Sequence, residues 1–267
     1  MKPETLPISE TFTSVQGEGM LAGVPSFFVR VSGCNLRCAW CDTPYASWKP
    51  EHTTRSIDSL LADATASGLS HAVLTGGEPM MFDAIDSLAA GLRSRGFHIT
   101  IETAGTIDRA VACDLMSISP KLANSTPSEG DPRDPGGNWR RLHETRRINL
   151  DALRGLVARY PEHQLKFVVG GTAASTGASA GAGAVAIAPQ AFQDGARNDS
   201  LLADLSEIDQ LVEAIGGVKR DRVLLMPEGI ASPSRERQQE IVALCIARGW
   251  RYCPRLHIDI FGNKRGT

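Results

Sequence analysis

Cys34, Cys38 and Cys41 share one short run, Gly33-Cys34-Asn35-Leu36-Arg37-Cys38-Ala39-Trp40-Cys41-Asp42-Thr43. The spacing is C-x3-C-x2-C. Three thiolates this close can hold three corners of a four-iron cluster, because thiolates are the usual ligands of iron–sulfur centres. The fourth iron is then open to bind a second molecule and act on it. Two other chemistries compete. Cys38-Ala39-Trp40-Cys41 could be a redox C-x-x-C pair, although such pairs open a helix without a third cysteine four residues upstream. The three cysteines with His52 could bind structural zinc, although His52 sits in a polar stretch at an unusual spacing. Cys113, Cys245 and Cys253 are scattered and read as buried small hydrophobes.

A second run, Gly76-Gly77-Glu78-Pro79, follows. Alone it is a turn closing a strand. It could also serve a ligand, since two glycines let backbone approach closely and leave carbonyls free to accept from an ammonium.

Both runs must be held by regular elements. Residues 26–32 read as a strand ending at the cysteine loop. Helical spacing of Ile57, Leu60, Leu61 and Ala64 follows, with Ser56 as N-cap. Residues 71–75 form a strand, 82–95 a helix closed by Gly96, 97–102 a strand, and a short helix starts near Ile107. Residues 114–119 make a strand and 123–140 a loop rich in Pro, Gly, Asp and Ser. The second half continues with a helix over 147–160, a strand over 165–169, a helix over 206–215 and a strand over 222–226. A helix over 234–248 and a strand over 250–254 close it. This alternation predicts a parallel α/β sheet, open or curled into a barrel. Residues 170–183 are Gly/Ala/Ser-rich and lack the large apolar groups that offset ordering entropy. With the stretch up to 200 they read as a flexible insertion in a single domain spanning 1–267.

At 267 residues, 42% of them hydrophobic, the chain is long enough for a full core. Its net charge of −2 argues against a nucleic-acid partner. No apolar run approaches the ~20 residues of a membrane helix, and the first residues show no secretory pattern, so a cytoplasmic protein with no membrane partner is expected.

The cysteine run, with an aromatic before its last cysteine, resembles the signature of the radical S-adenosylmethionine (SAM) enzymes, and the Gly-Gly-Glu-Pro run falls where their SAM-binding loop does. The flanks are similar to the 7-carboxy-7-deazaguanine synthase family: Ser14-Val15-Gln16-Gly17-Glu18-Gly19, Asp42-Thr43, Glu102-Thr103, Ser119-Pro120-Lys121 and the closing Phe261-Gly262-Asn263-Lys264-Arg265-Gly266-Thr267. That resemblance covers residue 8 to the end, apart from the insertion. It implies an open, partial β/α barrel of the radical SAM type. It implies a [4Fe-4S] cluster on Cys34, Cys38 and Cys41, SAM on the fourth iron, and a Mg2+ ion on the Thr43 hydroxyl. The implied reaction belongs to queuosine biosynthesis. A 5′-deoxyadenosyl radical takes the C6 hydrogen of 6-carboxy-5,6,7,8-tetrahydropterin, the ring contracts, ammonia leaves and 7-carboxy-7-deazaguanine forms. Partners implied are the pterin, an electron donor such as flavodoxin or ferredoxin, and a second copy in a homodimer.

Residue by residue, the resemblance places Trp40, Asp42, Gly76, Gly77, Glu78, Glu102, Ser119, Lys121, Met226 and Pro227 at SAM. Glu102 suits the ribose, and Met226-Pro227 lie beside the adenine. It places Val15, Gln16, Gly17, Glu18, Arg30, Thr75, His257 and Thr267 at the pterin, with residues 256–267 as a tail closing the pocket. Read without the family, Gln16-Gly17-Glu18 is a polar turn, Arg30 an outward strand charge, Thr43 a turn residue and His257 a structural histidine. Three features depart from the family: Ala104 where Asn is common, Met226 where some members have Gln, and the insertion. A glycyl-radical-enzyme activase shares the cysteine spacing but has no need of Gln16-Gly17-Glu18 or the tail. A zinc-stabilised binding protein remains the non-enzymatic alternative.

Overall fold

Alternation of side chains along the strands gives the sheet two chemically different faces. On β2 (Pro25–Val31), Phe27, Val29 and Val31 enter the apolar core while Phe28 and Arg30 line a cavity on the other face. The same division holds on β7 (His163–Val169), where Leu165, Phe167 and Val169 face the core and Lys166 and Val168 the cavity. A computed structural model describes residues 4–170 and 195–267.

The other strands are β1 (Thr5–Val15), β3 (Thr53–Ser56), β4 (His71–Gly76), β5 (His98–Thr103), β6 (Leu115–Ile118), β8 (Val223–Pro227) and β9 (Arg251–Tyr252). They form one nine-stranded sheet in the order β3-β1-β2-β4-β5-β6-β7-β8-β9. From β2 through β4 to β9 all neighbours run parallel, whereas β1 is antiparallel to both β2 and β3. The end strands β3 and β9 do not pair, so the sheet stays open. This is the expected partial β/α barrel.

The helices are α1 (Ile57–Ala66), α2 (Ala84–Ser94), α3 (Asn138–Arg146), α4 (Leu150–Arg159), α5 (Gly195–Ile215), α6 (Arg235–Arg248) and α7 (Leu256–Phe261). Leu60, Leu88, Leu153, Ile208 and Ile241 bring α1, α2, α4, α5 and α6 onto the core face, against Val29, Leu74, Ile101, Phe167 and Leu225. Burying each such side chain contributes roughly 1.5–3 kcal/mol. Ser56 caps α1 as expected, its hydroxyl accepting from Ser59 N at 3.2 Å. None of the described helices is long and apolar enough to cross a membrane.

Four expectations change. The segment after β5 is not helical from Ile107. Tyr160 engages it from outside, its hydroxyl accepting from Val111 N while its single proton is shared between Arg109 O at 3.1 Å and Val111 O at 2.9 Å. The loop expected over 123–140 holds a 3-10 turn at Ala123–Ser125 and the start of α3. The helix expected over 147–160 begins only at Leu150, where Asn149 caps it by accepting from Ala152 N. The helix expected over 206–215 already begins at Gly195, and residues 171–194 of the expected insertion lie outside those described.

Candidate functional site

The cysteine loop leaves the end of β2 and lies directly on the end of β4. Gly77 N donates to Val31 O at 3.1 Å and Glu78 N to Gly33 O at 2.9 Å. This contact needs both glycines. Gly76 has φ +133°, and a Cβ on Gly77 would fall 2.8 Å from Ala46 O and closer still to Gly33 O. The two sequence runs are therefore one structural unit.

Cys34, Cys38 and Cys41 are free thiols lining a cavity of about 650 Å3. Burial pushes the Cys34 thiol up to about 12, helped by Glu78 and Cys41. It raises Cys38 as well. Such thiols become thiolates only when a metal centre takes the proton's place. No three His, Cys, Asp or Glu side chains among the described residues are grouped to hold a single metal ion. His52, the fourth ligand a zinc site would need, is exposed and outside the cavity. One buried donor in the loop, Arg37 Nε, has no protein acceptor.

The loop is braced from outside. Arg37 N donates to His143 Nδ1 at 3.1 Å, and His143 Nε2 lies 2.9 Å from Ser125 Oγ. Because the Ser125 hydroxyl donates to Leu122 O, it accepts from His143, which fixes a neutral Nε2–H tautomer. Burial holds this histidine's pKa at about 4. Trp48 Nε1 donates to Cys38 O, Arg133 to Ala39 O, and Trp40 Nε1 to Asn124 O.

The same cavity is lined by Val15, Gln16, Gly17, Glu18, Arg30, Trp40, Asp42, Thr43, Thr75, Gly76, Gly77, Glu102, Ser119, Lys121, Met226, His257 and Thr267. All of these are residues singled out from sequence. Two others are not brought to it, Glu78 and Pro227. Glu78 is fully buried. Its oxygens accept from Met80 N, Thr103 Oγ1 and Ala104 N at 2.8–3.1 Å. Those three donors engage a carboxylate that the resemblance places at SAM, and through them the side chain ties the loop after β4 to the end of β5. Pro227 ends β8 within the sheet, paired with Val169.

Sequence reading missed the charges that join the two ends of the cavity. Lys166, on the cavity face of β7, donates to Glu102 at 2.7 Å and to Glu18 at 3.0 Å. Arg255 pairs with Glu18 at 3.4 Å and with Asp42. Burial alone would raise Glu18, but Lys166, Arg255 and His257 pull its pKa well below the usual carboxylate range. Burial alone would lower Lys166, but Glu102 and Glu18 raise it. Glu18 and Lys166 thus stay ionised within the alternating chain Asp42–Arg255–Glu18–Lys166–Glu102. A lysine flanked by apolar residues in a buried strand was the available signal.

Arg30 on β2 stands opposite Glu10 of β1 in the sheet register. Its Nε donates to Glu10 at 2.7 Å, leaving both Nη groups uncommitted to that carboxylate. Arg265 in the tail also reaches Glu10, at 3.3 Å, and lies 4.1 Å from the centroid of the Tyr45 ring.

The radical SAM superfamily profile matches residues 28–171. A 7-carboxy-7-deazaguanine synthase from Rhodopirellula baltica is 43% identical over 98% of this chain and 89% of its own length. Another, from Halobacterium salinarum, is 41% identical over 98% of this chain and 93% of its own. The crystal structure of QueE from Escherichia coli aligns with a TM-score of 0.61 at 24% identity, covering 95% of each chain, a likeness of fold.

Proposed function

We propose, from the premise that this chain belongs to the radical SAM superfamily and within it to the 7-carboxy-7-deazaguanine synthase family, that it converts 6-carboxy-5,6,7,8-tetrahydropterin to 7-carboxy-7-deazaguanine. As a carbon–nitrogen lyase it would release ammonia. The observation that carries this reading is a single cavity lined at one end by Cys34, Cys38, Cys41 and Gly76-Gly77, and at the other by Gln16-Gly17-Glu18, Arg30, His257 and Thr267.

The three thiolates would hold a [4Fe-4S] cluster, and the carbonyls of Gly76 and Gly77 would accept from the SAM ammonium. When bound, the cluster and SAM supply a 5′-deoxyadenosyl radical. The chain's own groups orient the other reactant. Glu18 is held ionised and accepts from ring N–H groups. Arg30, anchored through Nε to Glu10, offers its two Nη groups to the substrate carboxylate as a fork. Trp40, Val168 and Met226 give the SAM end an apolar wall. Thr43 supplies one hard oxygen for Mg2+, the rest coming from substrate and water. An external one-electron donor completes the cycle.

The test is anaerobic reconstitution with iron and sulfide, followed by SAM, reductant, Mg2+ and the carboxytetrahydropterin. Carboxydeazaguanine with one ammonia per turnover is expected. SAM cleavage without that product would sink the substrate assignment and spare the superfamily.

A further inference from the structure

Lys and Arg side chains are seldom buried without a carboxylate, because an uncompensated charge in a low-dielectric interior costs several kcal/mol. Among the described residues three are buried: Arg37, Lys166 and Arg255. Lys166 and Arg255 each face two carboxylates. Arg37, 7% exposed, forms no carboxylate pair in the described structure. Its Nη1 donates to Cys34 O at 2.7 Å and Leu36 O at 2.8 Å, and its guanidinium carbon lies 3.8 Å from the centroid of the Trp139 ring. Nε, as noted, has no acceptor. Two carbonyl dipoles and a ring face offset part of the charge but supply no formal negative charge.

The negative charge that the chain can place here is that of the cysteines themselves. Arg37 stands between Cys34 and Cys38 in sequence and is hydrogen-bonded to the carbonyl of the first. A cluster held by three thiolates is a net anion, and one-electron reduction adds to that charge. A fixed cation beside it therefore favours the reduced form, net charge and hydrogen bonding being main determinants of cluster potential. We propose that Arg37 is the built-in counter-cation of the cluster, held by Trp139 on α3, and that it raises the cluster's reduction potential. This rests on the cluster reading above. It gives α3, already tied to the cysteine loop through His143, a second role through Trp139.

The test is a redox titration of the reconstituted protein, following the electron paramagnetic resonance of the reduced cluster. Arg37→Gln keeps a donor for the carbonyls and loses the charge. It should lower the reduced-to-oxidised ratio at fixed potential about tenfold, a shift of ~59 mV for one electron. Arg37→Lys keeps the charge and should stay within about threefold of wild type. An unchanged ratio in Arg37→Gln with full iron and sulfide content overturns the proposal, and so does an Arg37→Lys that behaves like Arg37→Gln. A second measurement needs no cluster in the variant. In cluster-free protein the Arg37 charge is uncompensated, so Arg37→Gln should leave the urea midpoint unchanged or raised. A lowered midpoint would make Arg37 a mechanical brace and overturn the charge role. Failure of wild-type protein to take up iron and sulfide would instead count against the cluster reading.

Discussion

Lys166 on β7 reaches across β6 to Glu102 on β5, its ammonium 2.7 Å from the carboxylate. The same nitrogen donates to Glu18 at 3.0 Å, so one buried cation ties the β5 side of the cavity to the turn after β1. Removing it leaves two carboxylates facing each other in a poorly solvated cavity. Lys166→Met should cost about 3 kcal/mol, the usual range for breaking a buried pair from one side. It should also slow product formation about a hundredfold, the scale set by misplacement of a positioned reactant. Urea unfolding and single-turnover assays read the two effects. Wild-type turnover in a variant that folds normally would show that Lys166 does not position these groups.

His143 gives the acid side of the stability profile. Its pKa is about 4 in the folded chain against 6.5 unfolded. Between those values the unfolded chain carries the extra proton, so stability falls as pH drops through that window. At about 1.4 kcal/mol per pH unit, going from neutral to about pH 5 should cost roughly 2 kcal/mol in cluster-free protein. Protonation also removes the acceptor for Arg37 N, so the cysteine loop should loosen first. Paired urea melts of wild type and His143→Gln test this. Equal acid sensitivity in both would assign the loss elsewhere.

The parallel strands were legible because each joins a core-facing apolar set to short turns. β1 was not. Thr5-Leu6-Pro7-Ile8-Ser9-Glu10-Thr11-Phe12-Thr13-Ser14-Val15 is mostly polar, and it is a strand through pairing with β2 and β3 across an irregular register at Ile8 and Glu10. α3 was missed for a related reason. Asn138-Trp139-Arg140-Arg141-Leu142-His143-Glu144-Thr145-Arg146 has no apolar period and buries His143, a polar residue whose role is a long-range bond to the cysteine loop. In the site, motif residues could be read from spacing. Lys166, Arg255 and Arg37 could not, because their meaning lies in partners 64 to 237 positions away, or in the absence of a carboxylate.

Glu78 separates a brace from a ligand. Three protein donors occupy its carboxylate. Glu78→Ala would strand them in a buried site, at roughly 1–3 kcal/mol per unmet group before relaxation. The expected result is a loss of at least about 2 kcal/mol in cluster-free protein, with SAM absent. A variant as stable as wild type that has lost only SAM affinity would return Glu78 to the ligand role.

Arg265 is the latch of the C-terminal tail. It donates to Glu10 at 3.3 Å, to Glu51 at 3.2 Å and to Ser9 O at 3.2 Å, while Glu10 also receives Arg30 at 2.7 Å and the Tyr45 hydroxyl at 2.8 Å. Gly266 and Thr267, which line the cavity, are held in place just beyond it. Arg265→Ala frees the tail without touching the cysteine loop. The KM for the carboxytetrahydropterin should rise about tenfold, with kcat reduced less and SAM cleavage without substrate near wild type, because the lost contact is one of binding. The Arg265–Glu51 pair is solvent-exposed, so salt should weaken it. The wild-type KM should therefore climb more steeply between low and high salt than that of Arg265→Ala. Parallel salt slopes with an unchanged KM would mean that the tail is held by its backbone alone and that Arg265 is a surface charge.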